Sequence, residues 1–363
     1  MATQPKQVEP TPALDHKKVE QFLFKFVNDL GAGMCAALAL VGEKLGLYAA
    51  MANAGPLTAA ELAARTSTSE RYVREWLSAQ AANGYVEYDA KTDRFFLPAE
   101  HALLLADENG PAYIPGAFHV MASVFRDEHK ISEAFRSGEG VGWHEHHASL
   151  FEGTEKFFRP TYLHHLIHGW IPALDGVEEK LKQGASVADV GCGHGASAIL
   201  LAQAFPNSSF YGFDYHQASI EKARQRAEKA GVQHRVKFEV ATAKNFEDRQ
   251  YDLVCFFDCL HDMGDPAGAA RHVRETMEDD GTLMIVEPFA NETLAENLNP
   301  VGRVFYAAST MICTPASKAQ EVGAALGAQA PESRLRDVVT SGGFTRFRRA
   351  AETPFNRVYE ARP

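Results

Sequence analysis

Residues 185–195, ASVADVGCGHG, place an acid and three glycines where a nucleotide can be held. A short apolar run carries Asp189 and ends at Val190. Gly191, Cys192, Gly193 and Gly195 follow, and the chain then enters a helical pattern, ASAILLAQAF. Glycines in such a turn let backbone N–H groups approach a ligand that any Cβ would hold away. Asp214 closes the next apolar segment, SSFYGFD, 23 residues after Gly191. An acid there can accept hydrogen bonds from both hydroxyls of a ribose. A second set of reactive residues, Asp258-Cys-Leu-His261-Asp262, follows the apolar run YDLVCFF. Histidine titrates near neutrality, so His261 is suited to take a proton from a hydroxyl or thiol.

Positioning these groups requires a sheet. Strand candidates fall at 186–190, 209–213, 236–240, 252–257 and 282–286, with helical patterns between most of them. Such alternation predicts an α/β fold with a mainly parallel, doubly wound sheet, whose ligands sit at the carboxyl ends of the strands. A helix near 332–341 and two final strands, FTRFRRA and NRVYEAR, complete seven strands with a terminal antiparallel hairpin. Residues 289–330 read as a longer helical excursion over the ligand edge. Ahead of the sheet, 17–52 read as helical. Thr58 with Glu61 forms a capping-box pattern, and a helix begins at Ser67–Ser69 and ends near Gly84. Tyr85–Tyr88 and Phe95–Leu97 flank a polar turn, which gives an N-terminal helical, winged-helix domain. The expected divisions are a polar tail over 1–16, a winged-helix dimerisation domain over 17–110, a helical cap over 111–180 and the nucleotide domain over 181–363.

The loop itself fits G-x-G-x-x-G/A, so the glycines admit either NAD or S-adenosylmethionine. Three features favour the latter. Asp189 stands two residues before the first glycine, where it would repel a pyrophosphate but can engage an amino-acid end. The nucleotide fold begins halfway along the chain, behind a helical domain. It closes in a hairpin and not in a second substrate domain. The successive segments DVGCGHG, YGFD and YDLVCFFD resemble the motifs of class I S-adenosylmethionine-dependent methyltransferases over roughly 180–363. The winged helix, CLHDMGDP and the ending SGGFTRFRRA…TPFNRVYEARP are similar to two-domain small-molecule O-methyltransferases. That resemblance implies a Rossmann-like methyltransferase sheet and S-adenosylmethionine as cofactor, with S-adenosylhomocysteine as product. It implies His261 as general base and a homodimer whose N-terminal domains interlock. The expected cofactor residues are Asp189, Gly191, Cys192, Gly193, Gly195, Asp214, Tyr215, Thr242, Ala243 and Asp258. Many relatives carry an acid that reads adenine in the loop after the third strand. Here that loop is Val240-Ala241-Thr242-Ala243-Lys244, which leaves Thr242 or a backbone carbonyl for the task.

The acceptor is a small molecule that the sequence does not name; oxygen is the expected methyl acceptor, with sulfur or nitrogen as alternatives. Candidate acceptor contacts are His146, His165, Glu287, Asn299, Arg303 and Tyr306. Six of the fifteen histidines fall in 144–168, and His164 and His168 share a helix face. No Cys pair or HExxH accompanies them, so no metal is expected. Net charge is −11, and residues 34–105 hold six Lys/Arg against eight Asp/Glu. Phosphate contacts need positive charge, so a nucleic-acid partner is not expected and the winged helix is better suited to packing against another chain. No uninterrupted apolar run approaches 18 residues, so no membrane span is expected. Five cysteines without zinc spacing, and an N-terminus without a secretory pattern, point to the cytoplasm. A winged-helix regulator and an NAD-linked oxidoreductase remain as alternatives.

Overall fold

A computed structural model describes residues 14–363. The first thirteen residues of the expected polar tail lie outside the described part. The chain forms two compact units, one ending at Asp107 and the other beginning at Glu108.

The first unit holds helices α1 (His16–Lys44), α2 (Leu47–Met51), α3 (Ala59–Thr66), α4 (Glu70–Ala82) and α5 (Ala99–Leu105). Its two short antiparallel strands are β1 (Glu87–Asp89) and β2 (Arg94–Phe96). Asp15 caps α1, and the chain turns into α2 through Gly46, which is left-handed at φ 67. The capping box forms as the sequence implies: Glu61 N donates to Thr58 Oγ1 at 3.2 Å and Thr58 N to Glu61 Oε2 at 2.8 Å. Arg94 then clamps Glu61 at 2.8 Å, tying the hairpin to α3. The core of this unit gathers Tyr48, Leu62, Trp76, Leu77 and Phe95.

Helix α1 behaves differently from the others. Only Ala36, Ala39 and Gly42 are buried, while Phe22, Phe24, Phe26, Val27, Leu30 and Met34 stand in solvent. Among the described residues it is the one helix long and apolar enough, by length and composition, to cross a membrane. The sequence criterion missed this because Asn28, Asp29 and the glycines at 31 and 33 interrupt the apolar run without lowering its average much.

The second unit opens with α6 (Gly116–Ser137), α7 (Ser149–His165) and α8 (Val177–Gln183). Strands β3 (Ser186–Val190), β4 (Ser209–Asp214) and β5 (Val236–Val240) alternate with α9 (Ala196–Ala204) and α10 (Gln217–Lys229). Then come β6 (Tyr251–Phe257), α11 (Pro266–Thr276), β7 (Met277–Pro288), α12 (Pro300–Ala308), α13 (Thr314–Lys318), α14 (Glu332–Ser341), β8 (Arg346–Glu352) and β9 (Asn356–Arg362). The sheet order is β5-β4-β3-β6-β7-β9-β8, parallel except for β9, which runs antiparallel to both neighbours. The chain leaves β3 in one direction and returns beside it as β6, so a crevice opens at the carboxyl ends of these two strands.

Both faces of the sheet are covered, which is why its strands read as nearly continuous apolar runs. Val187, Phe210, Phe238 and Cys255 belong to one core, and Ala188, Val190, Phe213 and Phe256 to the other. Each buried phenylalanine contributes roughly 1.5–3 kcal/mol relative to exposure. Strand β7 starts five residues earlier than the alternation predicts, because the exposed Glu278, Asp279 and Asp280 separate Met277 from the apolar run. The excursion over 289–330 is only partly helical: α12 runs through a π-turn at Ser309–Cys313 into α13, and its flanks are turns.

Candidate active site

The glycine loop follows β3 in left-handed backbone. Gly191 has φ 76, and a Cβ there would lie 2.8 Å from Cys259 Sγ. Gly195 has φ 78, with Phe238 Cζ only 2.6 Å from where its Cβ would be. No other residue fits either position without moving a neighbour. Asp214, at the end of β4, holds the loop in place. Gly193 N donates to its Oδ2 at 2.9 Å and His216 N to its Oδ1 at 2.8 Å. Burial raises this carboxyl, and the two N–H donors partly offset the rise. Each oxygen keeps a lone pair for a further donor.

Asp189 lies beneath the loop and off the cavity wall. It is 1% exposed, Ser197 Oγ donates to its Oδ2 at 2.5 Å, and its Oδ1 is buried without a partner. Burial pushes it up to about 7. Ser197 stands in the first turn of α9, so Asp189 fastens that helix to the strand.

Above the loop opens a cavity of roughly 530 Å³, within the size range of small-molecule sites. Its walls include the glycine loop with Cys192, Asp214 and Tyr215, Thr242 and Ala243, and Asp258. Helix α7 adds Phe151, Phe158 and Tyr162. Asp258 is half-buried, in left-handed backbone at φ 50, a conformation that costs a non-glycine residue free energy. Tyr162 Oη donates to its Oδ2 at 3.1 Å and Asn356 Nδ2 to its Oδ1 at 2.7 Å. Burial, then the nearby Glu287 charge, raise its carboxyl well above the usual range.

The charge lining this space discriminates between nucleotides. Asp214, Asp258 and Asp262 face it, while Lys244 is engaged by Asp265 at 3.3 Å and Glu321 at 3.1 Å. His194 is driven down to about 4 by burial and therefore uncharged at neutral pH. Among the described residues, a pyrophosphate would meet carboxyl groups here and no unpaired lysine or arginine. A ligand with a ribose, a cationic ammonium and a cationic sulfonium fits this donor set.

Beside the cavity, β6 and β7 bring together residues far apart in sequence. Their parallel register pairs Phe257 with Val286, so Asp258 and Glu287 leave the sheet side by side. Glu287 is buried; its Oε1 accepts from Leu260 N at 3.0 Å and its Oε2 lies 2.5 Å from His261 Nδ1. His261 Nε2 stands 3.3 Å from Asp262 Oδ1. The histidine is only 3% exposed and is absent from the cavity lining; Asp262 is the member of this chain that reaches the wall. Burial disfavours the imidazolium, but Glu287 and Asp262 outweigh it and raise His261 well above its ordinary value. Burial raises Asp262, with His261 pulling the other way.

Comparison with known proteins now bears on this geometry. Residues 181–325 match the model described as "Methyltransferase domain", and 33–107 match the Rv2258c-like winged HTH domain. Strands β3 to β7 lie within that methyltransferase-domain match. Several of the similar structures were solved with S-adenosylmethionine or S-adenosylhomocysteine bound, and the anionic cavity suits such a ligand. The 27-O-demethylrifamycin SV methyltransferase of Amycolatopsis mediterranei is 30% identical over 169 residues, 44% of this chain and 57% of that one. The match therefore spans little more than half of that relative's length. Human N-acetylserotonin methyltransferase, solved with S-adenosylmethionine, superposes with TM-score 0.70 at 15% identity, over 100% of this chain and 99% of that one. The mitomycin 7-O-methyltransferase MmcR gives 0.67 at 21% identity, over 96% and 100%. At these identities the likeness is one of fold.

Within the methyltransferase domain the other candidate residues scatter. Asn299 caps α12, its Oδ1 accepting from Gly302 N at 2.9 Å. His165 stacks on Trp170 with ring centroids 6.1 Å apart. Arg303 and Tyr306 lie on α12, and none of these four lines the cavity. His146 is buried with Nδ1 3.2 Å from Asp127 Oδ2, and it too is off the wall. Burial lowers it. The groups that sequence reasoning missed are Tyr162, Asn356 and Cys313, while Asp262 was named only as part of the set after β6. Tyr162 sits inside the same histidine-rich segment, TYLHHLIHGW, and the aromatic beside those histidines was the available signal.

Proposed function

We propose that this protein transfers a methyl group from S-adenosylmethionine to a small apolar or aromatic acceptor, through oxygen, by direct in-line displacement. The observation that carries the reading is the cavity behind the glycine loop, lined by carboxylates that suit a cationic donor. Bound there, the cofactor supplies an activated methyl group and leaves as S-adenosylhomocysteine. Gly191, Cys192, Gly193 and Gly195 cradle it, and Asp214 takes the ribose hydroxyls. Asp258, steadied by Tyr162 and Asn356, receives the ammonium. Tyr215, Thr242 and Ala243 border the adenine. Asp189 supports the site from below through α9.

The chain's chemical contribution is alignment and proton removal. The acceptor's proton passes to the Glu287–His261–Asp262 chain, entered at Asp262 on the cavity wall. Two carboxylates and one imidazolium leave that chain with room for one more proton. A backed histidine of this kind serves an acceptor that must lose a proton, which favours a hydroxyl over an amine. The rifamycin and mitomycin relatives carry O-acceptors in their names, in keeping with this choice.

The exposed apolar face of α1 is covered by a second copy of the chain, giving a homodimer through the winged-helix unit. Five free cysteines suit the reducing cytoplasm. Calorimetric titration with S-adenosylhomocysteine, followed by a screen of phenolic and polyketide-like acceptors for its release, tests the proposal. A chain that binds no S-adenosylhomocysteine refutes it.

A further inference from the structure

The cluster behind the cavity wall has more donors than proton transfer uses. We propose that His261 Nε2, Asp262 Oδ1 and Cys313 Sγ bind one divalent ion of the zinc type, and that the bound ion stops methyl transfer. The inhibitory half rests on the proposed role of His261 in proton removal; the binding half does not.

The three ligand atoms all lie within 4.8 Å of one another. One imidazole nitrogen, one carboxylate oxygen and one thiol sulfur form a donor set that zinc accepts, with a coordination position left over. Glu287 lies 2.5 Å from His261 Nδ1 and leaves Nε2 as the available donor. A carboxylate behind a histidine is the arrangement that orients metal ligands. Asp262 Oδ1 is 3.3 Å from that nitrogen, yet it is buried and has no hydrogen-bond partner. Leaving a buried carboxylate oxygen without a donor is costly, and a cation between these atoms would satisfy it.

Two further features point the same way. Cys313 is buried at the end of the π-turn Ser309–Cys313, and such turns recur at functional sites. His146 is a second imidazole backed by a carboxylate, Asp127. Its Nε2 is buried and unpartnered, and the charge of Asp262 reaches it. It is a candidate for a fourth ligand. Because Asp262 lines the cavity, an ion can enter from there. On binding, Cys313 gives its thiol proton and His261 its Nε2 proton to solvent, and the ion takes the freed Nε2 lone pair with an Asp262 oxygen. The ion then occupies the Asp262 oxygen and the imidazole through which the acceptor's proton would leave.

The test is titration of the chelator-stripped full chain with Co²⁺, then Zn²⁺. One ion per chain should bind, with a thiolate-to-cobalt charge-transfer band in the near ultraviolet that Zn²⁺ abolishes. Cys313→Ser should keep S-adenosylhomocysteine affinity and lose the band. Glu287→Gln should weaken metal binding about 10–100-fold, the usual effect of losing such a carboxylate. Should Cys313→Ser fail to fold, Asp262→Asn replaces it, with the band kept and affinity reduced. No band in the wild type, or a band unchanged in Cys313→Ser, overturns the site. Zinc that binds but leaves turnover intact overturns the inhibition. S-adenosylhomocysteine titrated into the same samples separates the cases. A metal-binding chain without cofactor affinity sinks the methyltransferase proposal alone, and cofactor affinity without a cobalt band sinks this inference alone.

Discussion

Replacing Asp214 by alanine removes two things at once, and the structure lets them be separated. Its carboxylate accepts from Gly193 N at 2.9 Å and His216 N at 2.8 Å. Losing both should leave two partly buried N–H groups unpaired and cost about 1–3 kcal/mol of stability. The proposed hydrogen bonds from two ribose hydroxyls are charge-assisted, about 1.5–3 kcal/mol each. Their joint loss, about 3 kcal/mol or more, corresponds to at least about a 100-fold weaker Kd for S-adenosylhomocysteine. Calorimetry measures the affinity and thermal unfolding measures the stability. Pairing the variant with a 2′-deoxy ligand closes a double-mutant cycle. Deleting the hydroxyl should weaken binding to the wild type and change little in Asp214→Ala. Equal losses in both proteins would show that Asp214 only braces the loop and does not touch the ribose.

Three other perturbations follow from the same coordinates. Asp189 rises from 3.8 to about 7 on burial, so between these values the folded chain holds a proton that the unfolded chain releases. Stability contributed by this group is therefore complete below about pH 4 and falls as pH rises to about 7. Asp189→Asn should flatten the dependence of Tm on pH in that window, and an unchanged slope would contradict the shift. Glu287→Gln should cut turnover on an identified acceptor by about 100-fold, the scale of a lost acid–base contribution, while S-adenosylhomocysteine affinity stays within about 2-fold. A proportional loss of affinity would instead mean a damaged cavity. Phe22→Ser with Phe26→Ser on α1 should convert the dimer to monomer in sedimentation without lowering the Tm of the methyltransferase domain. A monomeric wild type rules out the dimer.

The central strands were legible because both sides of the sheet are packed there: β3 and the ends of β4 and β6 fall where the apolar runs lie, within a residue, and the edge strand β5 was legible from its alternation. The glycine loop was legible because its positive φ values exclude side chains. Asp189 misled because the motif suggested a ligand contact, whereas strand alternation sets it on the same side as Val187, a core residue packed under α9. The Glu287–His261 pair was only half visible. Its members are 26 positions apart, and their meeting depends on the register of β6 against β7, which no local pattern encodes. Cys313 was less visible still, since a π-turn sets where it points. Helix α1 shows a different limit: its sequence resembles that of a buried helix, and only the structure shows that its apolar face lacks a cover.

The anchoring of Asp258 by Asn356 spans 98 positions, from the end of β6 to the start of β9. During synthesis the glycine loop, Asp214 and Asp258 all leave the ribosome well before that partner exists. A nascent chain can therefore assemble five parallel strands and still lack the donor that fixes its cationic-ligand acid. Until the closing hairpin inserts beside β7, Asp258 is held by Tyr162 alone. If Asp258 receives the ammonium as proposed, its full anchoring therefore waits for the last strand of the sheet.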